Sequence, residues 1–193
     1  MNIIIISGSI RENASTIKVS RNLQRHLHHY HNVVAEVIDL KEYDYPIWRE
    51  VFEKEVNPPL MCVRLHDKLQ EAEAFIFVTP EYNGSYSLAL KNMVDYFGLT
   101  VFEKKVIGVT AVSTGGMGGI RAGLQLQQLI LAIFAIPVPQ MLLVPNIHQH
   151  FDEDGVLLDA SFEKNVSLFT REFLWLSEAV YEKRRAAIAS VAK

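Results

Sequence analysis

Phe75-Ile76-Phe77-Val78-Thr79-Pro80-Glu81-Tyr82-Asn83-Gly84-Ser85-Tyr86-Ser87-Leu88-Ala89-Leu90-Lys91-Asn92-Met93-Val94-Asp95-Tyr96-Phe97 decides the fold. The unbroken apolar run Phe75 to Val78 predicts a strand buried on both faces, as in a parallel sheet. From Leu88 to Phe97 the apolar residues recur at helical spacing, so the stretch reads as strand, loop and helix. The loop between them carries acceptors, an aromatic side chain and a glycine. Open parallel sheets bind ligands outside the carboxyl ends of their strands, so this loop stands where a flat, polar-edged ring would be held.

Toward the N-terminus, the isoleucine-rich run Asn2 to Ile6 predicts another strand. Ser7-Gly8-Ser9-Ile10-Arg11-Glu12-Asn13-Ala14-Ser15-Thr16 separates it from a helical pattern of Ile17, Val19, Leu23 and Leu27. A strand, a small-residue loop and a helix start form an anion site, because the first helical N–H groups are unpaired and face the positive end of the dipole. Gly8 permits a close turn, Ser9, Ser15 and Thr16 bring hydroxyls, and Arg11 brings a charged fork. Ser9, Arg11, Ser15, Thr16 and Ile17 are therefore the candidate cofactor contacts here. Neither a P-loop nor a dinucleotide Gly-x-Gly-x-x-Gly is present, and the alternative reading is an ordinary capped helix start.

Val33 to Asp39 alternates and reads as a strand at a sheet edge; Met61 to Ala72 reads as a helix. The irregular stretch Lys41 to Pro59 carries Tyr43, Tyr45, Trp48 and Phe52, which either pack under the chain's own loops or form a cleft wall or an oligomer contact. Val106 to Val112 is a further strand running into Ser113-Thr114-Gly115-Gly116-Met117-Gly118-Gly119-Ile120-Arg121-Ala122, too glycine-rich for regular structure. A helix over Leu124 to Phe134, a turn flanked by Pro137 and Pro139, a last strand over Met141 to Val144 and a closing helix over Phe162 to Tyr181 complete the chain. Five strands alternating with five helices predict an α/β fold: a flavodoxin-like doubly wound five-stranded parallel sheet of order 2-1-3-4-5, one domain over residues 1–193. In that order the loops after strands one, three and four share one crevice.

The composition narrows the function. A net charge of −3 offers no broad basic field, so no nucleic-acid partner is expected. The single cysteine, Cys62, fits a reducing compartment and a buried place in a helix. No signal peptide and no apolar run of membrane-spanning length is evident, which points to a cytoplasmic protein with no membrane partner. His26, His28, His29 and His31 read as a solvated helix end, and His148, His150, Asp152 and Asp154 as a polar turn, since neither group has the ligand order of a metal site. No catalytic triad or carboxylate pair stands out, so no catalytic residue is named.

Pro80-Glu81-Tyr82-Asn83 with Ser85, Leu90-Lys91-Asn92 and Asp95 resembles the signature of the NAD(P)H-dependent FMN reductases, the flavodoxin-like group that includes chromate, quinone and azo-dye reductases. The resemblance implies FMN as cofactor, NADPH or NADH as reductant and a small-molecule electron acceptor. It implies that the backbone of Tyr82, Asn83 and Gly84 meets the polar edge of the flavin ring, with Pro80 beside them and Glu81 orienting the loop. It further implies that Ser113, Gly115 and Gly116 run along the flavin. A homodimer or homotetramer is implied, with Trp48 near a neighbour's cleft. Arg121 sits at a helix start where the dipole disfavours a cation, so it needs an acidic partner that an interface could supply. The family usually has proline at Ser87, whose loss is expected to loosen the loop-to-helix corner, and tryptophan at Tyr96. An FMN-binding electron carrier of the flavodoxin kind is the alternative function, and a flavodoxin-like domain for a non-flavin phosphate ligand is a third.

Overall fold

The structure, a computed structural model, describes residues 1–191. Its parallel sheet contains β1 (Asn2–Ser7), β2 (Val34–Asp39), β3 (Ala74–Pro80), β4 (Val106–Val112) and β5 (Ile136–Pro137) in the order β2-β1-β3-β4-β5. This is the expected order, with one addition. The chain returns to β4 twice: Ile136 and Pro137 pair with Val106 and Ile107, and β6 (Leu142–Val144) pairs with Thr110 to Val112. The expected last strand is β6, and the addition is the two-residue β5 upstream of it, kept apart from β6 by Pro137 and Pro139, which have no N–H to give a ladder.

Period-2 alternation divides the core into two layers. Ile4, Ile6, Phe75, Phe77, Ile107 and Val109 pack beneath α2 (Leu60–Glu71), α3 (Leu88–Phe97), α4 (Leu99–Phe102) and α5 (Ile120–Ala132). Ile3, Ile5, Ile76 and Val78 face α1 (Thr16–Leu27) and α7 (Glu163–Val191). Gly108 in β4 leaves room for α7, because a Cβ there would stand 2.9 Å from the Phe169 ring and 3.0 Å from Phe173. α4 and α6 (Ile147–His150) are single turns beyond the five expected helices. α5 starts at Ile120, ahead of the expected Leu124, because Gly119 takes the left-handed cap conformation.

Most of the aromatic stretch belongs to the core. Tyr43, Tyr45 and Phe52 pack against the α2–α5 layer, and the Tyr45 hydroxyl donates to the Ala89 carbonyl at 2.7 Å. Trp48 stays half exposed, with its backbone N–H held by Asn92 Oδ1 at 2.7 Å. Ser87 overturns the expectation of a loose corner. Its buried hydroxyl accepts the Leu90 N–H at 3.2 Å, capping α3, and donates to the Gly8 carbonyl, while its own N–H is taken by Thr79 Oγ1 at 3.1 Å. Lys105 is a buried cation at the end of α2. Its Nζ donates to the carbonyls of Leu69 at 3.1 Å and Gln70 at 2.9 Å, and burial, helped by Arg184, pushes its pKa down to about 8.

The segment between α6 and α7 docks on α1. Lys18 pairs with Glu153 at 2.7 Å, Arg25 Nη1 donates to the Asp154 carbonyl at 3.1 Å, and Asn22 donates to the Gly155 carbonyl at 3.2 Å. Gly155 is obligatory there: its φ is +74°, and a Cβ would fall 2.2 Å from the Lys18 carbonyl oxygen. Phe162, Val166, Phe169, Phe173 and Leu174 then complete the core layer under α1.

Candidate functional site

The loop after β1 is drawn against β3. The Gly8 N–H donates to the Val78 carbonyl at 2.8 Å, and any Cβ at Gly8 would meet that same oxygen at 2.8 Å. This close approach aims the start of α1 at the carboxyl edge of the sheet. The first turn of α1 has no acidic residue, and Ser15 at the N-cap makes no side-chain cap bond, so its hydroxyl and the helix-start N–H groups are available to an anion. The other two hydroxyls are committed. Thr16 Oγ1 is buried 3.0 Å from Ser7 Oγ, and Ser9 Oγ lies 2.9 Å from the Tyr82 hydroxyl. The Arg11 guanidinium stands 5.8 Å from the Tyr82 ring centroid. Burial raises the carboxyl pKa of Asp39, at the end of the neighbouring β2.

β3 ends at Pro80, opposite Val112, and the Glu81 N–H donates to the Val112 carbonyl at 3.2 Å. Tyr82 and Ser85 then exchange N–H to carbonyl bonds of 2.9 and 3.0 Å across Asn83 and Gly84. Both central residues have positive φ, 52° and 81°, as a tight primed turn demands, and asparagine and glycine are the residues that accept it. Arg121 is satisfied within the chain, which corrects the expectation of an interface partner. Its Nε donates to Glu81 Oε1 at 2.8 Å, and Nη2 reaches the same oxygen. Glu81 Oε2 is buried without a protein partner among the described residues, so the carboxylate keeps one acceptor in hand.

The four glycines after β4 do different work. Gly118 and Gly119 are buried at positive φ, and a Cβ at Gly119 would stand 3.0 Å from Ala111 Cβ, so they fold the loop back on the sheet. Gly115 and Gly116 are exposed, and a Cβ at Gly116 would meet nothing within 4 Å. Ser113 Oγ accepts the Gly115 N–H at 3.1 Å, and the carbonyls of Ser113 and Gly115 accept the N–H groups of Ile147 at 3.1 Å and Asn146 at 3.2 Å. The start of α6 is thereby stitched to this loop.

The three loops enclose one cleft of about 320 Å³. Of the candidate residues, Ser9, Arg11, Ser15, Thr16, Pro80, Glu81, Tyr82 and Ser113 line it. Ile17, Asn83, Gly84, Gly115 and Gly116 lie beside it and off its wall. Asn13, Ala14, Val112, Thr114 and Ile147 line it unforeseen. The first four adjoin residues already singled out, whereas nothing in the local pattern around Ile147 announces that it will reach the cleft.

The donor set fits a phosphorylated flavin. An uncommitted hydroxyl, a helix start and an exposed guanidinium suit a phosphomonoester, and a polar turn with an unpaired carboxylate oxygen suits a ring with hydrogen-bonding edges. Among the described residues no group of three or more histidine, cysteine or acidic side chains could hold a metal. His150 pairs with Asp159 at 3.1 Å and stacks on Phe162 at 4.3 Å, and Asp152 Oδ1 accepts the N–H groups of Asp154 and Val156 at 3.0 and 2.7 Å.

The chain is similar to known proteins in sequence and in fold. A family model described as NADPH-dependent FMN reductase matches residues 1–149. The FMN-dependent NADPH-azoreductase of Staphylococcus aureus is 28% identical over 187 residues, covering 93% of this chain and 97% of that protein. In structure the chain is similar to FerB, a flavoenzyme NAD(P)H:(acceptor) oxidoreductase from Paracoccus denitrificans. The TM-score is 0.72 at 22% identity, over 92% of this chain and 97% of that one. It is also similar to the apo form of an NADH:FMN oxidoreductase, EMOB, with a TM-score of 0.68 at 19% identity over 89% of each chain. At these identities the two structural likenesses establish the fold.

Proposed function

The chain belongs to the NADPH-dependent FMN reductase family, and from that premise we propose that the cleft between the β1, β3 and β4 loops holds FMN while a nicotinamide reduces it. The protein is a nicotinamide-dependent flavin oxidoreductase. Bound FMN would supply the redox chemistry, hydride acceptance from NADPH or NADH and electron transfer to a small-molecule acceptor. The chain supplies binding and orientation. Arg11, Ser15 and the first N–H groups of α1 hold the phosphate; the Tyr82–Ser85 turn faces the polar edge of the ring; the exposed backbone of Gly115 and Gly116 offers the ring a second side.

One observation carries this reading. An anion-binding helix start and a polar primed turn, contributed by loops far apart in sequence, line the same cleft. FMN is favoured over FAD because the cleft has one phosphate station and the sequence has no dinucleotide fingerprint. The visible spectrum of the protein with FMN, followed on addition of NADPH and then of a quinone, tests the proposal. Bleaching by NADPH and recovery with the quinone, over repeated turnovers, is the expected result. FMN binding without nicotinamide turnover would leave an electron carrier, and no flavin binding would leave a different phosphate ligand.

We further propose a cytoplasmic homodimer or homotetramer of one-domain subunits. In support, Cys62 is a buried free thiol, and Ile47 (76% exposed) and Trp48 (49%) form an apolar surface tied to α3, whose Leu88 is also exposed (76%). Among the described residues no helix is long and apolar enough to cross a membrane. Light scattering at working concentration tests the oligomer, and a monomer would refute it.

A further inference from the structure

The Tyr82–Ser85 turn is gripped by the next crossover helix as well as by its own strand. Arg121 of α5 binds Glu81 at the head of the turn, and its guanidinium lies under Gly84, where a Cβ would stand 3.6 Å from Nη1. One helical turn on, Gln125 donates from Nε2 to the Gly84 carbonyl at 2.8 Å and accepts from Ser85 Oγ at 2.7 Å. Arg121 and Gln125 are four residues apart and share one face of the helix. With both ends of its amide occupied, Gln125 has a fixed orientation. The turn's carbonyls at Tyr82 and Ser85 are consumed within it, and the Gly84 carbonyl is consumed by α5. Among the described residues no partner takes the N–H groups of Asn83 and Gly84.

We propose that Arg121 and Gln125 are positioning residues for flavin chemistry: without touching the ring, they fix the direction of the Asn83 and Gly84 N–H groups, and through them ring affinity and reduction potential. This rests on the reading of the cleft as a flavin site. N–H donors fixed at a ring edge stabilise the electron-rich reduced flavin more than the oxidised one, because preorganised donors act most strongly where negative charge develops. Gln125 isolates the geometric part of the grip, because its bonds to Gly84 and Ser85 are neutral, whereas Arg121, itself 64% exposed, neutralises a Glu81 side chain that is only 10% exposed.

The test separates ring from phosphate and geometry from folding. FMN and riboflavin are titrated by fluorescence quenching into wild type, Gln125→Ala, Arg121→Ala, Arg121→Lys and, as the phosphate-end control, Arg11→Ala. Gln125→Ala is expected to weaken both flavins by the same factor, about three- to tenfold, the loss of a neutral hydrogen bond or two. The potential of bound FMN should fall while the apo protein melts at the wild-type temperature. Arg121→Ala should weaken both flavins and lower the potential in the same way, but with a lower melting temperature because the nearly buried Glu81 carboxylate loses its partner, and Arg121→Lys should recover part of both losses, since an ammonium keeps the charge without the fork. Unchanged affinity and potential in both alanine variants, or a loss confined to FMN, overturns the proposal. So does a lowered melting temperature with the potential unmoved. If wild type itself binds neither flavin, the reading of the cleft fails with it, an outcome distinct from variants that bind as well as wild type.

Discussion

The Ser9 and Tyr82 hydroxyls stand 2.9 Å apart and join the loop after β1 to the loop after β3 across the mouth of the cleft. A serine hydroxyl donates one hydrogen and accepts two. Either hydroxyl can donate across this pair, and in the arrangement where Tyr82 donates, Ser9 keeps its own proton for an anion in the cleft. Tyr82→Phe is therefore expected to weaken FMN by roughly two- to tenfold and riboflavin by less, the size of one neutral hydrogen bond. Parallel titrations of the two flavins check it, and an equal effect on both would show that Tyr82 acts only on the ring.

Arg11 is expected to read the phosphate alone. Hydrogen bonds to charged groups contribute about 1.5–3 kcal/mol, so Arg11→Ala should weaken FMN by roughly ten- to a hundredfold and leave riboflavin nearly unchanged. If riboflavin weakens as much as FMN, the loop is not a phosphate site.

Gly8→Ala tests the close approach of the first loop to β3. The added Cβ would meet a backbone carbonyl at 2.8 Å, which cannot swing aside as a side chain does. A loss of about 1–3 kcal/mol is expected, the usual cost of overpacking, and thermal unfolding should show it as a fall of several degrees. FMN binding should fall too, because the same loop aims the start of α1. An unaltered melting temperature would mean that the loop gives way freely.

Lys105 makes stability depend on alkaline pH. Its pKa is about 8 in the folded protein against 10.5 for the ordinary side chain, so between these values the unfolded chain holds a proton that the native protein has released. Stability from this group therefore rises with pH across that window, by about 2–3 kcal/mol between pH 8 and 10. Below pH 8 the cost of charging the buried ammonium is fully present. Arg184 adds to that cost and Glu73 relieves part of it. The raised pKa values of Cys62 and Tyr45, both caused first by burial, act in the opposite sense above about pH 9 and 10. The readout is thus the difference in denaturant midpoint between wild type and Lys105→Met, which cancels them. A difference that does not change from pH 7.5 to 10 would refute the assignment.

The central sheet was legible because burial on both faces leaves a plain mark: Phe75 to Val78 and Val106 to Val112 have nowhere to be but inside. The turn after β1 was legible for a related reason, since Gly8 answers a local backbone need, the close approach to the Val78 carbonyl. Pairings across sequence left no such mark. Arg121 carries a sign that asks for a carboxylate, but only the α5 crossover, lying beside the β3 loop, selects Glu81. Ile147 reaches the cleft through main-chain bonds to Ser113, which carry no side-chain signature at all. Ser87 shows how a residue can be judged by the wrong property: the rigidity of a proline was missed, while its hydroxyl ties α3 to Gly8.

The docking of residues 153–155 on α1 bears on how this protein can be cut and recombined. The match to the family model ends at residue 149, yet the likeness to the azoreductase runs over 93% of the chain, and α1 is tethered by Glu153, Asp154 and Gly155, with its inner face resting on phenylalanines from beyond residue 149. The end of the family-model match is therefore not a border of autonomous folding. A chimera spliced at residue 149 would inherit every loop of the cleft and lose the ballast that keeps α1 seated, so a grafting experiment should carry its junction past the whole of α7.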